Sequence, residues 1–154
     1  MIRVPTPHGE QRLVLDETHL AAHLDAFALP RDALLVHVAA LLHDAGAEPT
    51  GREVELDRIV GTSALIELRP EHRPYWGYRV GRSTPSHLLR AHPEPTRWLT
   101  AWGHRDQSGV IHVATAYPGR IAPREIHDPD LPLDAIDASI AFWTAHALAV
   151  PPQG

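Results

Sequence analysis

The chain is expected to fold as an α+β protein, with N-terminal helices packed on an antiparallel sheet of about four strands and a C-terminal helix. Three observations predict it. Helical periodicity is confined to about residues 16–46 and 134–149. Alternating runs rich in β-branched and aromatic residues fill about residues 54–118. The turn Asp106-Gln107-Ser108-Gly109 joins the two clearest of these runs as a hairpin. Helices first, then hairpin strands, then a helix give this class. At 154 residues the chain reads as a single domain, large enough to bury its own core.

The elements follow in order. Pro5 and Pro7 block a helix near the start, so residues 1–15 read as extended. Asp16 can cap a first helix to about Ala28, with Leu20, Leu24 and Phe27 as its buried stripe and Pro30 ending it. Asp32 can cap a second, from Ala33 to about Ala45, which Gly46 closes. That helix is apolar nearly all round, through Leu34, Leu35, Val38, Leu41 and Leu42, and should be central. Strand candidates then run from Val54 to Ile59, Ala64 to Leu68, Tyr75 to Arg82, Arg97 to His104 and Val110 to Tyr117. Pro132 and Asp134 open a last helix, Ala135 to Ala149.

Composition removes several kinds of chemistry. There is no cysteine, which excludes disulfides and thiolate catalysis. All fourteen basic residues are arginine, a pattern that GC-rich coding also produces. Without lysine there is no Schiff base, P-loop lysine or lysine general base. Anions must be met by arginine, histidine, hydroxyls or backbone N–H groups. The formal charge of −5 argues against a broad electrostatic footprint on nucleic acid, although a local patch is compatible with it. No apolar run is long enough to span a bilayer and no signal-peptide pattern follows Met1. The default expectation is a cytoplasmic protein without membrane contact, or a delivered toxin fragment. The sequence leaves the oligomeric state open.

Four groups of residues carry possible chemistry. His19 and His23 share one face of the first helix at i, i+4, either as half-exposed surface histidines or as a general base near neutral pH. Leu41-Leu42-His43-Asp44-Ala45-Gly46 reads first as a helix C-terminus capped by Gly46. The stretch Tyr75 to His87 sets Trp76, Tyr78, Arg79, Arg82 and Ser83 close together, either as a surface suited to a phosphate or carboxylate or as an amphipathic strand with solvated arginines. Strand alternation places Ile111, Val113, Thr115 and Tyr117 on one face, with the two hydroxyls about 7 Å apart.

His43-Asp44 is similar to the central motif of HD-domain metal phosphohydrolases. The likeness implies an all-helical metal site, with His19 or His23 and Asp137 as the remaining ligands. A second resemblance extends further. Val80-Gly81-Arg82, Trp98 to Asp106 and above all Thr115-Ala116-Tyr117-Pro118 resemble the later strands of BECR-fold ribonucleases. The nearest likeness is to the RNase A-like toxin domains of contact-dependent inhibition proteins, over about residues 75–119. It implies metal-independent RNA cleavage by 2′-hydroxyl attack, with no cofactor. Carried over, Thr115 and Tyr117 match directly, His19 or His23 supplies the acid or base, and Arg79 or Arg82 steadies the phosphate. Trp76, Tyr78, Trp98 or Trp102 is suited to stack an unpaired base, and Ser83 adds a hydroxyl to the Tyr75–His87 stretch. The partners implied are RNA or another small anionic ligand, and an immunity or antitoxin protein. The alternatives are a small-molecule enzyme or binding protein using the same His/Arg/Tyr cleft, an HD-type phosphohydrolase, and a non-catalytic interaction module.

Overall fold

The computed structural model describes residues 1–152. It is α+β, with two mixed sheets, and the chain divides into two compact units, each assembled from two stretches of sequence. Unit 1 comprises Met1–Thr62 and Pro95–Ile121, and unit 2 comprises Ser63–Glu94 and Ala122–Gly154.

Unit 1 begins with a hairpin of β1 (Ile2–Thr6) and β2 (Gly9–Leu15). Gly9, at φ +96°, closes it in a conformation that favours glycine. Asp16 then caps α1 (Glu17–Ala21), its carboxylate accepting from the His19 amide. The expected first helix stops there. His23 leads instead into a single 3-10 turn, Leu24–Ala26. The second helix, α2 (Arg31–Leu41), starts at Pro30 rather than at Asp32. It buries Leu34, Leu35, Val38 and Ala39, joined by Leu42 just past its end, as its apolar composition predicts.

β3 (Thr50–Glu55) follows, ahead of the run expected at Val54–Ile59. After β4 (Gly61–Ser63) the chain enters unit 2, and it returns through β8 (Glu94–Thr96). β9 (Trp98–Arg105) and β10 (Ile111–Pro118) lie almost where alternation places them. The sheet order is β1-β2-β10-β9-β3, with β10 parallel to β2 and the other pairs antiparallel. The expected purely antiparallel sheet is therefore mixed. The connection from β2 to β10 runs through both helices, β3, part of unit 2 and β9, and so long a connection permits parallel pairing.

The core of unit 1 sits between α2 and one face of this sheet, formed by Leu13, Leu99, Ala101, Ile111, Val113 and Ala116. Burying side chains of this kind stabilises by about 1.5–3 kcal/mol each against exposure. Gly103 lies in the same layer. A Cβ there would meet the His112 carbonyl oxygen and come within 3.0 Å of Leu42.

Unit 2 carries β5 (Leu65–Glu67), β6 (Tyr75–Gly77), β7 (Ser86–Arg90), α3 (Ile136–Ala145) and β11 (His146–Val150). Its sheet runs β5-β11-β7-β6, with β11 parallel to β7. Two sequence expectations fail here. The strand proposed from Tyr75 to Arg82 ends at Gly77, because Arg79–Arg82 is a turn with Gly81 at φ +78°. The last helix stops at Ala145, and His146–Val150 forms the strand β11. Ala147 is buried there against Ile66 and Leu89, and this tertiary burial outweighs alanine's helical preference. Strand β7 was not anticipated at all.

The position of Gly103 gives a direct test of the β9–β10 register. Gly103→Ala forces a methyl against backbone and should lower the unfolding free energy by about 1–3 kcal/mol in a denaturant titration. An unaltered midpoint would contradict the register.

Candidate active site

The clearest chemical constellation lies on the face of β9–β10 turned away from α2. Hairpin pairing sets Ile111 opposite Arg105, His112 opposite His104 and Val113 opposite Gly103. The register then shifts: Thr115 pairs with Trp102, so Ala114 is an extra residue, a β-bulge. The bulge overturns the expected facing of the strand. Ile111 and Val113 point into the core, but beyond Ala114 it is Ala116 that is buried there. Thr115 and Tyr117 therefore share the face of His112, not that of Ile111 and Val113.

Three cross-strand rows result. His104 and His112 stack with centroids 4.8 Å apart and planes within 6°. Trp102 lies beside Thr115 in the next row, and Tyr117 beside Thr100 in the one after. The Trp102 indole extends over Gly51 of β3, where an added Cβ would come within 2.6 Å of the ring. Its Nε1 donates to Tyr117 Oη at 3.4 Å. His23 reaches the same row, its ring 5.6 Å from that of Tyr117 at a 50° tilt. Thr115 Oγ1 is buried and has no hydrogen-bond partner among the described residues.

The turn of the hairpin fixes His112. Its Nε2 lies 2.8 Å from Asp106 Oδ2. Asp106 Oδ1 accepts from the Ser108 amide at 2.9 Å, the Ser108 hydroxyl at 2.6 Å and the Val110 amide at 3.1 Å. The Ser108 hydroxyl, then His112 and the Val110 amide, hold the Asp106 carboxyl well below the usual carboxylate range. A carboxylate that accepts at Nε2 sets the proton there and leaves Nδ1 as the free base of neutral His112. Asp106 and His112 side chains are both about a third exposed, so the pair is accessible.

An open cleft of about 250 Å³ borders the two imidazoles, lined by Val14, Leu15, Asp16, His104, His112, Val113 and Ala114. Its lip is Asp16, whose amide donates to Val113 O at 3.0 Å and whose Oδ2 lies 3.1 Å from His19 Nδ1.

The residues singled out from sequence are thus divided. His19, His23, Trp102, Thr115 and Tyr117 belong to unit 1, whereas Trp76, Tyr78, Arg79, Arg82 and Ser83 belong to unit 2. Arg79 is not a free cation: its Nη2 donates to Glu125 Oε1 at 2.8 Å and its Nε to Ser86 Oγ at 3.0 Å. Trp76 stacks on His87 with centroids 4.7 Å apart and meets the His127 ring edge-on, while Tyr78, Arg82 and Ser83 are exposed.

The HD-type arrangement does not form. Strands separate Asp44 from Asp137, which lies in the other unit. His43 Nδ1 is 2.9 Å from Ala40 O, and its ring stacks on His8 at 3.6 Å. Among the described residues no group of three or more histidine or carboxylate side chains converges as a metal site.

His104, His112 and Asp106 were missed as a group. Counting outward from the Asp106–Gly109 turn pairs residue 105 with 110 and residue 104 with 111, whereas the turn takes in Val110 as well and the register is 105 with 111 and 104 with 112. The chain matches no protein-family model, and no curated protein or solved structure matches it either.

The depressed Asp106 carboxyl has a consequence for stability with a definite sign. Its contribution is present above the unfolded carboxyl pKa of about 3.9 and is lost as pH falls toward the folded value. Asp106→Asn should therefore lower Tm at pH 7, and the gap from wild type should close on acidification below about pH 4. A gap that stays constant with pH in thermal melts would contradict the assignment.

Proposed function

We propose that unit 1 acts as a metal-independent, endoribonuclease-like module that cleaves RNA by 2′-hydroxyl attack, with His112 as its base. The observation that carries the reading is the imidazole pair: two histidines face each other on paired strands, and a carboxylate orients one of them. The neighbouring Trp102 and Tyr117 rings, and the match of Thr115-Ala116-Tyr117-Pro118 to the ribonuclease strand end, also support it.

His112 Nδ1 takes the 2′-hydroxyl proton, and the 2′-oxygen attacks phosphorus. The bond from phosphorus to the 5′-oxygen breaks, and protonated His104 gives its proton to that oxygen. The products are a 2′,3′-cyclic phosphate and a 5′-hydroxyl end. One positive charge is present on the stacked pair throughout, first on His104 and then on His112. Two charges at this spacing would repel. Asp106 stabilises the imidazolium that forms on His112, as a buried or hydrogen-bonded carboxylate does for a general base. Arg79 and Arg82 of unit 2 have no assigned step here, and neither does His19.

A second reading is favoured by the formal charge of −5, which disfavours a long polyanion. In it the same histidine pair serves a small-molecule substrate of the cleft.

Cleavage of a fluorescent single-stranded RNA in excess EDTA tests the first reading. Wild type should cut, with a bell-shaped pH profile from one base and one acid. His112→Ala should lose about 10²- to 10⁴-fold in rate, as expected for removal of a general base. A folded wild type that leaves RNA intact would overturn it and favour the small-molecule reading, and cleavage abolished by EDTA would overturn the metal-independent step.

A further inference from the structure

We propose that the cleft beside His104 and His112 seats a single nucleobase and that Asp16 makes it selective for guanine. The inference rests on the ribonuclease reading for the identity of the ligand class, but its geometry is independent of catalysis.

The cleft lies at the end of the β2–β10 pairing. β2 and β10 pair in parallel only over Leu13–Leu15 and Ile111–Val113. Beyond that, β2 turns into α1 at Asp16 and β10 bulges at Ala114. The cleft is lined by residues of this junction, where the Asp16 amide still donates to Val113 O at 3.0 Å. Its volume of about 250 Å³ lies below the roughly 300–1,000 Å³ of drug-sized pockets, which suits one planar heterocycle.

Its walls have the character that bases prefer. Val14 and Ala114 are apolar, the two imidazoles present aromatic rings, and Val113 borders the cleft with its side chain packed into the core. Asp16 is the single carboxylate among the lining residues. Its oxygens already take the His19 amide at 3.3 Å and His19 Nδ1 at 3.1 Å, which fixes the carboxylate while leaving one lone pair on each oxygen.

An ionised carboxylate only accepts hydrogen bonds, so it favours a ligand edge with two parallel donors. Guanine has such an edge in N1–H and the N2 amine. Adenine and cytosine place a ring acceptor beside their amine, which would face the carboxylate unpaired. Uracil flanks its single N–H with two carbonyl oxygens. The cost of mispaired polar groups therefore ranks guanine first.

The test uses nucleoside 3′-monophosphates as probes, titrated into the full chain and followed by amide NMR shifts. The expected result is 3′-GMP binding about 10- to 100-fold more tightly than 3′-UMP, the range for one good bidentate contact. The shifts should centre on Val14, Val113 and Ala114. Asp16→Asn keeps an N-cap acceptor, so α1 should persist, while the affinity for 3′-GMP falls to that for 3′-UMP. Equal affinities in wild type, or a guanine preference that survives Asp16→Asn, would overturn the proposal. Guanine-selective binding without RNA cleavage would sink the ribonuclease reading alone. RNA cleavage without guanine preference would sink this proposal alone.

Discussion

Four hydrogen bonds to one carboxylate, that of Asp106, set the geometry on which the rest of unit 1 depends. They close the β9–β10 turn, and the closed turn dictates which residues of the two strands stand opposite each other. Arginines hold the same turn from outside. Arg105 Nη1 donates to Gly109 O at 2.7 Å, and its Nη2 donates to Gln11 and to the His43 carbonyl. Arg12 donates to the Ser108 carbonyl. The hairpin tip is therefore tied to β2 and to the end of α2 as well as to itself.

The placement of His104 against His112 follows from that register rather than from any attraction between the rings. So does the conversion of His112 into an oriented base, since Asp106 is both the closing residue of the turn and the partner of Nε2. In a chain without cysteine, imidazole is the principal side chain whose ordinary titration falls near neutral pH. The Ala114 bulge has a double effect. It rotates Thr115 and Tyr117 onto the histidine face, and Ala114 itself lines the cleft beside β2. Bulges re-aim side chains in this way at functional positions.

Much of this architecture was legible in the sequence where the signal is local. The apolar positions of α2, the alternation in β9 and β10, and the turn at Asp106–Gly109 all lie close to where they were read. Signals that depend on distant partners were not legible. His146–Val150 continues a helical composition, but it pairs with β5 and β7, which lie more than fifty residues away in sequence. Gly81 turns the chain after β6, so Arg79 faces Glu125 instead of extending a strand. The bulge was invisible for a different reason: nothing in Val113-Ala114-Thr115 distinguishes a regular strand from one with an extra residue. The candidate site was accordingly half seen. Thr115, Tyr117 and Trp102 were named on the correct strands, whereas His104 stands opposite His112 only because the turn takes in Val110, one residue more than Asp106–Gly109.

The orientation of His112 is the central claim, and long-range ¹H–¹⁵N correlation of its imidazole in the neutral protein tests it most directly. The account predicts a single tautomer with the proton on Nε2 and a bare Nδ1, converting to a mixture in Asp106→Asn. A proton on Nδ1 in the wild type, or a tautomer mixture indifferent to Asp106, would contradict it.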